Sequence, residues 1–128
     1  MTHLVLDSGG VSRLARRNQN AAAMITAFAR DGIWPAVVPS VVLVECLSGR
    51  PKHDTITNRF LKICDITEDV PEHLARRAGI LRASAQRGSA VDALVVAMAE
   101  PGGTVLSNDL VDLRALAAQA DDVTVVRA

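Results

Sequence analysis

The chain opens on an apolar run, Leu4-Val5-Leu6, that stops on the carboxylate of Asp7 and passes at once into Ser8-Gly9-Gly10. A short apolar run bounded by turn residues has the signature of a strand buried on both faces, the condition of strands in parallel sheets covered by helices. Asp7 then lies at a strand's carboxyl end. In open α/β sheets, ligands bind just beyond those ends, where strand order reverses. What else the chain brings to that place decides its chemistry.

The rest of the sequence alternates in the same way. Further strands are expected at 34–38, 63–66, 104–106 and 123–126, and helices at 9–17, 21–30, 41–47, 51–62, 71–86, 90–100 and 109–119. Asn18-Gln19-Asn20 interrupts the first two helices, and Asp31-Gly32 terminates the second. Ser40 and Ser89 are placed to cap the helices that follow them, although the β-branched content of 41–47 also allows a strand. Pro71 suits a first helical turn. Strands alternating with helices imply right-handed crossovers, hence an α/β domain with a parallel sheet of about five strands and helices on both faces. At 128 residues, one domain over 1–128 with a single core is expected, without repeats or linkers.

Composition narrows the partners. Phe28, Phe60 and Trp34 are the only aromatics, so the core is aliphatic and a stacking platform for unpaired bases is disfavoured. Fourteen basic and fourteen acidic residues cancel, so no global field draws the protein to nucleic acid or an acidic membrane. If acidic side chains held metal ions, however, the remaining surface would act as positive, which keeps a polyanionic substrate open. Cys46 and Cys64 lack zinc or redox spacing and read as two buried free thiols of a reducing compartment. The longest apolar run, 93–99, falls far short of the roughly 18 residues of a membrane span. No signal-peptide core precedes Asp7, and a cytoplasmic location is expected.

Four carboxylates stand out. Glu45 lies within Val41-Val42-Leu43-Val44-Glu45-Cys46-Leu47, and Asp92 within Ala90-Val91-Asp92-Ala93-Leu94-Val95-Val96, each a lone charge in an apolar element. An unpaired buried carboxylate costs several kcal/mol, so such residues face solvent, pair with a cation or bind metal. Asp109 follows the fourth expected strand through Ser107-Asn108, so it meets Asp7 if the first and fourth strands are neighbours. Taken singly, Asp7 suits a turn, Asp92 a first helical turn, and Asp109 or Asp112 a helix start. Glu45 has no such excuse. Together the four favour an acidic metal site, and oxygen donors with scattered histidines (His3, His53, His73) select Mg²⁺ over zinc. Ser8 and Ser107 stand beside acids, and Arg13 and Arg87 adjoin acidic elements where a phosphate would sit.

Val5-Leu6-Asp7-Ser8, Val44-Glu45, Ala90-Val91-Asp92-Ala93-Leu94 and Leu106-Ser107-Asn108-Asp109, in that order, resemble the PIN-domain ribonucleases, and the length and element order resemble their VapC-type toxins. The resemblance covers essentially the whole chain. It implies a three-layer α/β/α PIN-like fold and assigns Asp7, Glu45, Asp92 and Asp109 to the metal site and catalysis. Ser107 takes the place of a Thr or Ser beside the last acid, where it could orient a carboxylate or a metal-bound water; with Arg13 and Arg87, singled out above by their position alone, it is a candidate substrate contact. It further implies an Mg²⁺-dependent endoribonuclease, with Mn²⁺ as substitute, that hydrolyses RNA through metal-activated water. The toxin would form a homodimer, and the C-terminal segment of a VapB-type antitoxin would block it. Gly9-Gly10 replaces the larger residues common after the first acid, and Asp112 competes with Asp109 for the fourth position.

Two other classes compete. A PIN fold that binds RNA or protein without cutting is disfavoured by the complete acidic set. A receiver-like signalling module expects an acidic pair after the first strand and a lysine near the last ones. Here Asp7 stands alone, and the only lysines are Lys52 and Lys62.

Overall fold

A computed structural model describes residues 2–128 of the chain. Leu4, Val5 and Leu6 are wholly buried, as a strand covered on both faces must be. They form β1 (Leu4–Leu6), joined by β2 (Val37–Pro39), β3 (Asp65–Thr67), β4 (Thr104–Ser107) and β5 (Thr124–Arg127) in a wholly parallel sheet ordered β3-β2-β1-β4-β5. Val5 pairs with Val37 on one side and Val105 on the other. From β1 the chain steps outward to β2 and β3, then returns to the far side of β1 for β4 and β5. That reversal opens a crevice at the carboxyl ends of β1 and β4.

Right-handed crossovers put the helices that precede the reversal on one face and those that follow it on the other. Accordingly α1 (Ser8–Ala15) packs with α2 (Gln19–Arg30), α3 (Ser40–Cys46) and α4 (Thr55–Leu61), while α5 (Glu72–Ala85), α6 (Ala90–Ala99) and α7 (Leu110–Ala117) pack together. The result is a three-layer α/β/α arrangement. In α6, Ala93, Val95, Val96, Ala97 and Ala99 are all buried, as expected for a helix apolar on most sides that lies against the central strands β1 and β4. Val11 and Leu14 of α1 and Leu113 and Leu116 of α7 complete one aliphatic core, each buried side chain contributing about 1.5–3 kcal/mol. A bidentate pair, Arg77 to Glu100 at 2.8 and 2.7 Å, ties α5 to the end of α6. Among the described residues, no helix is long and apolar enough to cross a membrane.

Several boundaries differ from those expected. Ser40 is the first residue of α3 rather than its cap. Pro39 closes β2 and takes the cap position, and the Ser40 hydroxyl donates to Glu68 O at 3.1 Å. The helix expected at 51–62 starts only at Thr55, because the buried Asp54 carboxylate accepts from Ser48 N, Ser48 Oγ and Gly49 N and draws residues 48–54 into a closed loop. The third strand starts at Asp65, since Ile63 N and Cys64 N still bond back to Phe60 O and Leu61 O. The second strand is shorter than expected, beginning at Val37 beyond Pro35, which has no N–H to give a sheet ladder. Cys46 and Cys64 are free but only half-buried. Burial still pushes the Cys64 thiol up to about 12, which leaves it protonated and inert.

Candidate functional site

The crevice at the strand order's reversal is lined by carboxylates. Asp7, at the end of β1 and 6% exposed, caps α1: its Oδ1 accepts from Gly10 N at 2.9 Å. Its Oδ2 accepts a hydrogen bond from the Ser107 hydroxyl at the end of β4. Ser107 is wholly buried, and its Oγ also accepts from Asp109 N at 2.9 Å. One hydroxyl therefore joins the two strand ends. Burial pushes the Asp7 carboxyl above its ordinary value; the bonds from Ser107 and Gly10 oppose this, and the nearby Asp92 adds to it.

The approach of α1 to β4 is close because Gly9 and Gly10 carry no side chain. A Cβ on Gly10 would lie 2.5 Å from Leu106 O, and one on Gly9 2.9 Å from Asn108 N. The departure from larger residues noted in the sequence thus has a packing cause. It seats Asp7 against the turn that carries Asp109.

Asp92 arrives from α6, where it sits at the third helical position of a reciprocal capping box. Its N–H donates to Ser89 Oγ at 3.0 Å, and its Oδ2 accepts from Ser89 N at 3.1 Å. The cap expected at Ser89 therefore exists and also orients an acid. Ser89→Ala should remove about 1 kcal/mol of stability, read as a fall of a few degrees in melting temperature. Asp109 is the exposed N-cap of α7, and its Oδ1 receives a long 3.5 Å bond from Asp112 N.

Glu45 projects from α3 and is solvent-exposed at the rim. Partial burial raises its carboxyl above the ordinary value, and Asp92 and then Asp7 raise it further. It caps no helix, and among the described residues no cation pairs with it. All four predicted acids line one cavity of about 400 Å³, and Asp112 joins them. Carboxylate oxygens of Asp92, Asp109 and Asp112 lie within 4.8 Å of one another. Asp112 also accepts from Arg87 Nε at 3.0 Å, which neutralises part of the cluster's charge.

The remaining predicted residues divide. Arg87 stands beside the cavity through Asp112. Ser107, which the sequence offers as a residue that orients a carboxylate or contacts substrate, is wholly buried, and its hydroxyl donates to Asp7 and accepts from Asp109 N. Arg13 does not line the cavity; its Nε is buried without a hydrogen-bond partner among the described residues. The Arg87–Asp112 pair, linking positions 25 apart, has no local sequence signal.

A cavity whose charged side chains are all carboxylates, three of them with oxygens within 4.8 Å of one another, fits a hard divalent cation such as Mg²⁺. They offer no thiolate or imidazole for zinc.

No protein-family profile matches the sequence, and no curated protein matches it at a significant level. Among solved structures the chain superposes on a chain of DNA-bound VapBC from Salmonella typhimurium with a TM-score of 0.72 at 14% identity, covering 99% of this chain and 98% of that one. It superposes on PAE2754 from Pyrobaculum aerophilum with a TM-score of 0.66 at 15% identity, covering 98% and 91%. At such identities the likeness establishes the fold, a PIN-like α/β/α fold of the kind the sequence resembles.

Proposed function

We propose that the protein is an Mg²⁺-dependent endoribonuclease, with Mn²⁺ as substitute, acting as the toxin of a type II toxin–antitoxin pair. The observation that carries the reading is Glu45. Asp7, Asp92 and Asp109 each have a capping role that would account for them alone. Glu45 has none, yet it lines the same cavity as Asp7, Asp92 and Asp109, and burial, then Asp92 and Asp7, raise its carboxyl. A repulsive arrangement with no structural use is what a cation site looks like when its acids await their ion.

Asp7, Glu45, Asp92 and Asp109 would hold the ion, together with Asp112, whose carboxylate lies within 4.8 Å of those of Asp92 and Asp109. Once bound, a divalent cation supplies Lewis-acid polarisation of a phosphoryl group and activation of water. The chain's own part is preorganisation: Ser107 and Gly10 fix both oxygens of Asp7, and the capping box fixes Asp92. No side-chain nucleophile is needed.

The toxin assignment, with a VapB-type antitoxin as partner, draws support from the likeness to a VapBC chain; a homodimer is the assembly that the sequence resemblance implies. A cavity of about 440 Å³ between α1, α2 and α4, with Leu14, Ala21, Ile25 and Phe60 as its apolar wall and Arg17 and Arg59 at its edge, is a surface on which an antitoxin segment would fit. Incubation of the purified protein with total RNA should give fragments with Mg²⁺ or Mn²⁺ and none with chelator. Chelator-resistant cleavage would overturn the mechanism. A non-cutting PIN fold would bind RNA and leave it intact under every condition.

A further inference from the structure

A second cavity, of about 410 Å³, opens where α5 ends and α6 begins, and its last lining residue, Gly88, directly precedes Ser89 of the acidic cavity. Arg82, Gln86 and Arg87 line it over a floor that includes Gly79 and Ala83. The two cavities take consecutive residues of one turn: Arg87 and Gly88 line the second, Ser89 lines the acidic one, and Arg87 bonds to Asp112 of the acidic set. Among the described residues, no carboxylate lines the second cavity.

Each arginine is held through its own Nε. Arg82 Nε donates to Gly88 O at 3.0 Å, and Arg87 Nε donates to Asp112 Oδ1 at 3.0 Å. Among the described residues, no hydrogen bond uses the terminal Nη groups of either side chain. The turn that carries the Gly88 anchor lies close to α7, since a Cβ at Gly88 would be 2.7 Å from Leu116 Cδ1. Two guanidinium groups anchored at one end and free at the other suit the oxygens of a phosphodiester, which guanidinium binds in bidentate fashion. A chain with no net charge can hold a polyanion only by such local devices.

We infer that the Arg82–Arg87 cavity is a phosphate-binding subsite for the RNA strand, taking a phosphodiester next to the one presented to the acids. This rests on the ribonuclease reading and adds to it the place where the strand leaves the acidic cavity. The subsite positions substrate and takes no part in bond cleavage.

The test separates binding from cleavage. A fluorescent single-stranded RNA is titrated, at a series of NaCl concentrations, into protein carrying Asp7→Asn. The same background then carries Arg82→Met, Arg87→Met, Gly79→Asp or the control Arg76→Met. Methionine keeps the aliphatic stem and removes the charge. Gly79→Asp leaves both arginines in place and adds a carboxylate where nothing lies within 4 Å of the new Cβ, so folding is preserved. Each of the first three changes should weaken binding roughly tenfold, the loss of one charge-assisted contact. Each arginine variant should also flatten the log–log salt slope by about 0.7, one phosphate on a single strand. Arg76, on the exposed face of α5 and paired with Glu72, should have no effect.

Unchanged affinity and slope in Arg82→Met and Gly79→Asp would overturn the subsite. Parallel cleavage assays on protein with Asp7 intact keep the two claims apart. Metal-dependent cleavage with arginine-independent binding sinks the subsite alone, and arginine-dependent binding without cleavage sinks the nuclease alone. Absence of RNA binding by the parent overturns both.

Discussion

Asp7→Asn is expected to lose RNA cleavage by on the order of 10³-fold, the scale of removing one preorganised electrostatic element from a site, while melting no lower than the parent in chelator. The two effects have one cause. Burial is the largest influence on the Asp7 carboxyl, and Asp92 adds to it, so the charged form is disfavoured even after the bonds from Ser107 and Gly10 have acted. Asparagine imitates the neutral form, keeping an acceptor for Gly10 N and offering Ser107 Oγ a donor. It therefore removes the charge that an ion needs and relieves the fold of that same charge.

Linkage fixes the pH behaviour. The folded pKa of Asp7 is raised above its ordinary 3.8, so between the two values the folded state holds the extra proton. Without metal, stability is then greatest below that window and falls as pH rises through it. Glu45 contributes with the same sign, weakened by its exposure. Melting curves in chelator from acid to neutral pH should slope downward through this window for the parent and more gently for Asp7→Asn. Millimolar Mn²⁺ should raise the melting temperature of the parent and leave the variant where it was. A variant that cuts RNA at the parental rate, or gains as much stability from Mn²⁺, would remove Asp7 from the ion's site.

The parts of this arrangement that the sequence disclosed are those with a local or periodic signature. Leu4-Val5-Leu6 and Thr104-Val105-Leu106 read as buried strands because no polar residue interrupts them, and their pairing brings Asp7 and Asp109 to one crevice. Glu45 was conspicuous because its helix offers no polar face. What stayed hidden depends on residues far apart in the chain. Ser107 beside Asp109 could be read as orienting a carboxylate or meeting substrate, and only the β1–β4 pairing shows which carboxylate it reaches, Asp7 across the sheet, while it accepts from Asp109 N. Arg13 adjoins the first acid in sequence, yet it does not line the acidic cavity. Asp112 was ambiguous by spacing alone, and its partner Arg87 comes from the other end of α6. Helix starts failed where tertiary bonds overrode local capping: Ser40 reaches toward Glu68, and Asp54 closes the loop before α4.

Gly10→Ala should be the most damaging single-methyl change at the site, and the reason is non-local. Alanine favours a helix interior over glycine by about 1 kcal/mol, so α1 taken alone would gain. The added Cβ, however, falls 2.5 Å from Leu106 O and 3.3 Å from Leu6 Cβ, and Leu106 O belongs to the backbone of a central strand. A flexible side chain would yield at little cost; a parallel ladder between wholly buried residues does not. Overpacking of this kind costs typically 1–3 kcal/mol, occasionally more, and here the backbone contact places it at the upper end. A net loss of about 2 kcal/mol is expected, a fall of roughly 6–10 °C in melting temperature for a domain of this size. Because α1 can make room only by moving off the end of β4, Asp7 must shift relative to Ser107, and cleavage should fall further than the folded fraction accounts for. Gly79→Ala supplies the contrast: it lies in α5 with nothing within 4 Å of the new Cβ, and it should melt higher than the parent. If Gly10→Ala also melted higher, the close seating of α1 on β4 would be refuted, and with it the account of how Asp7 is held.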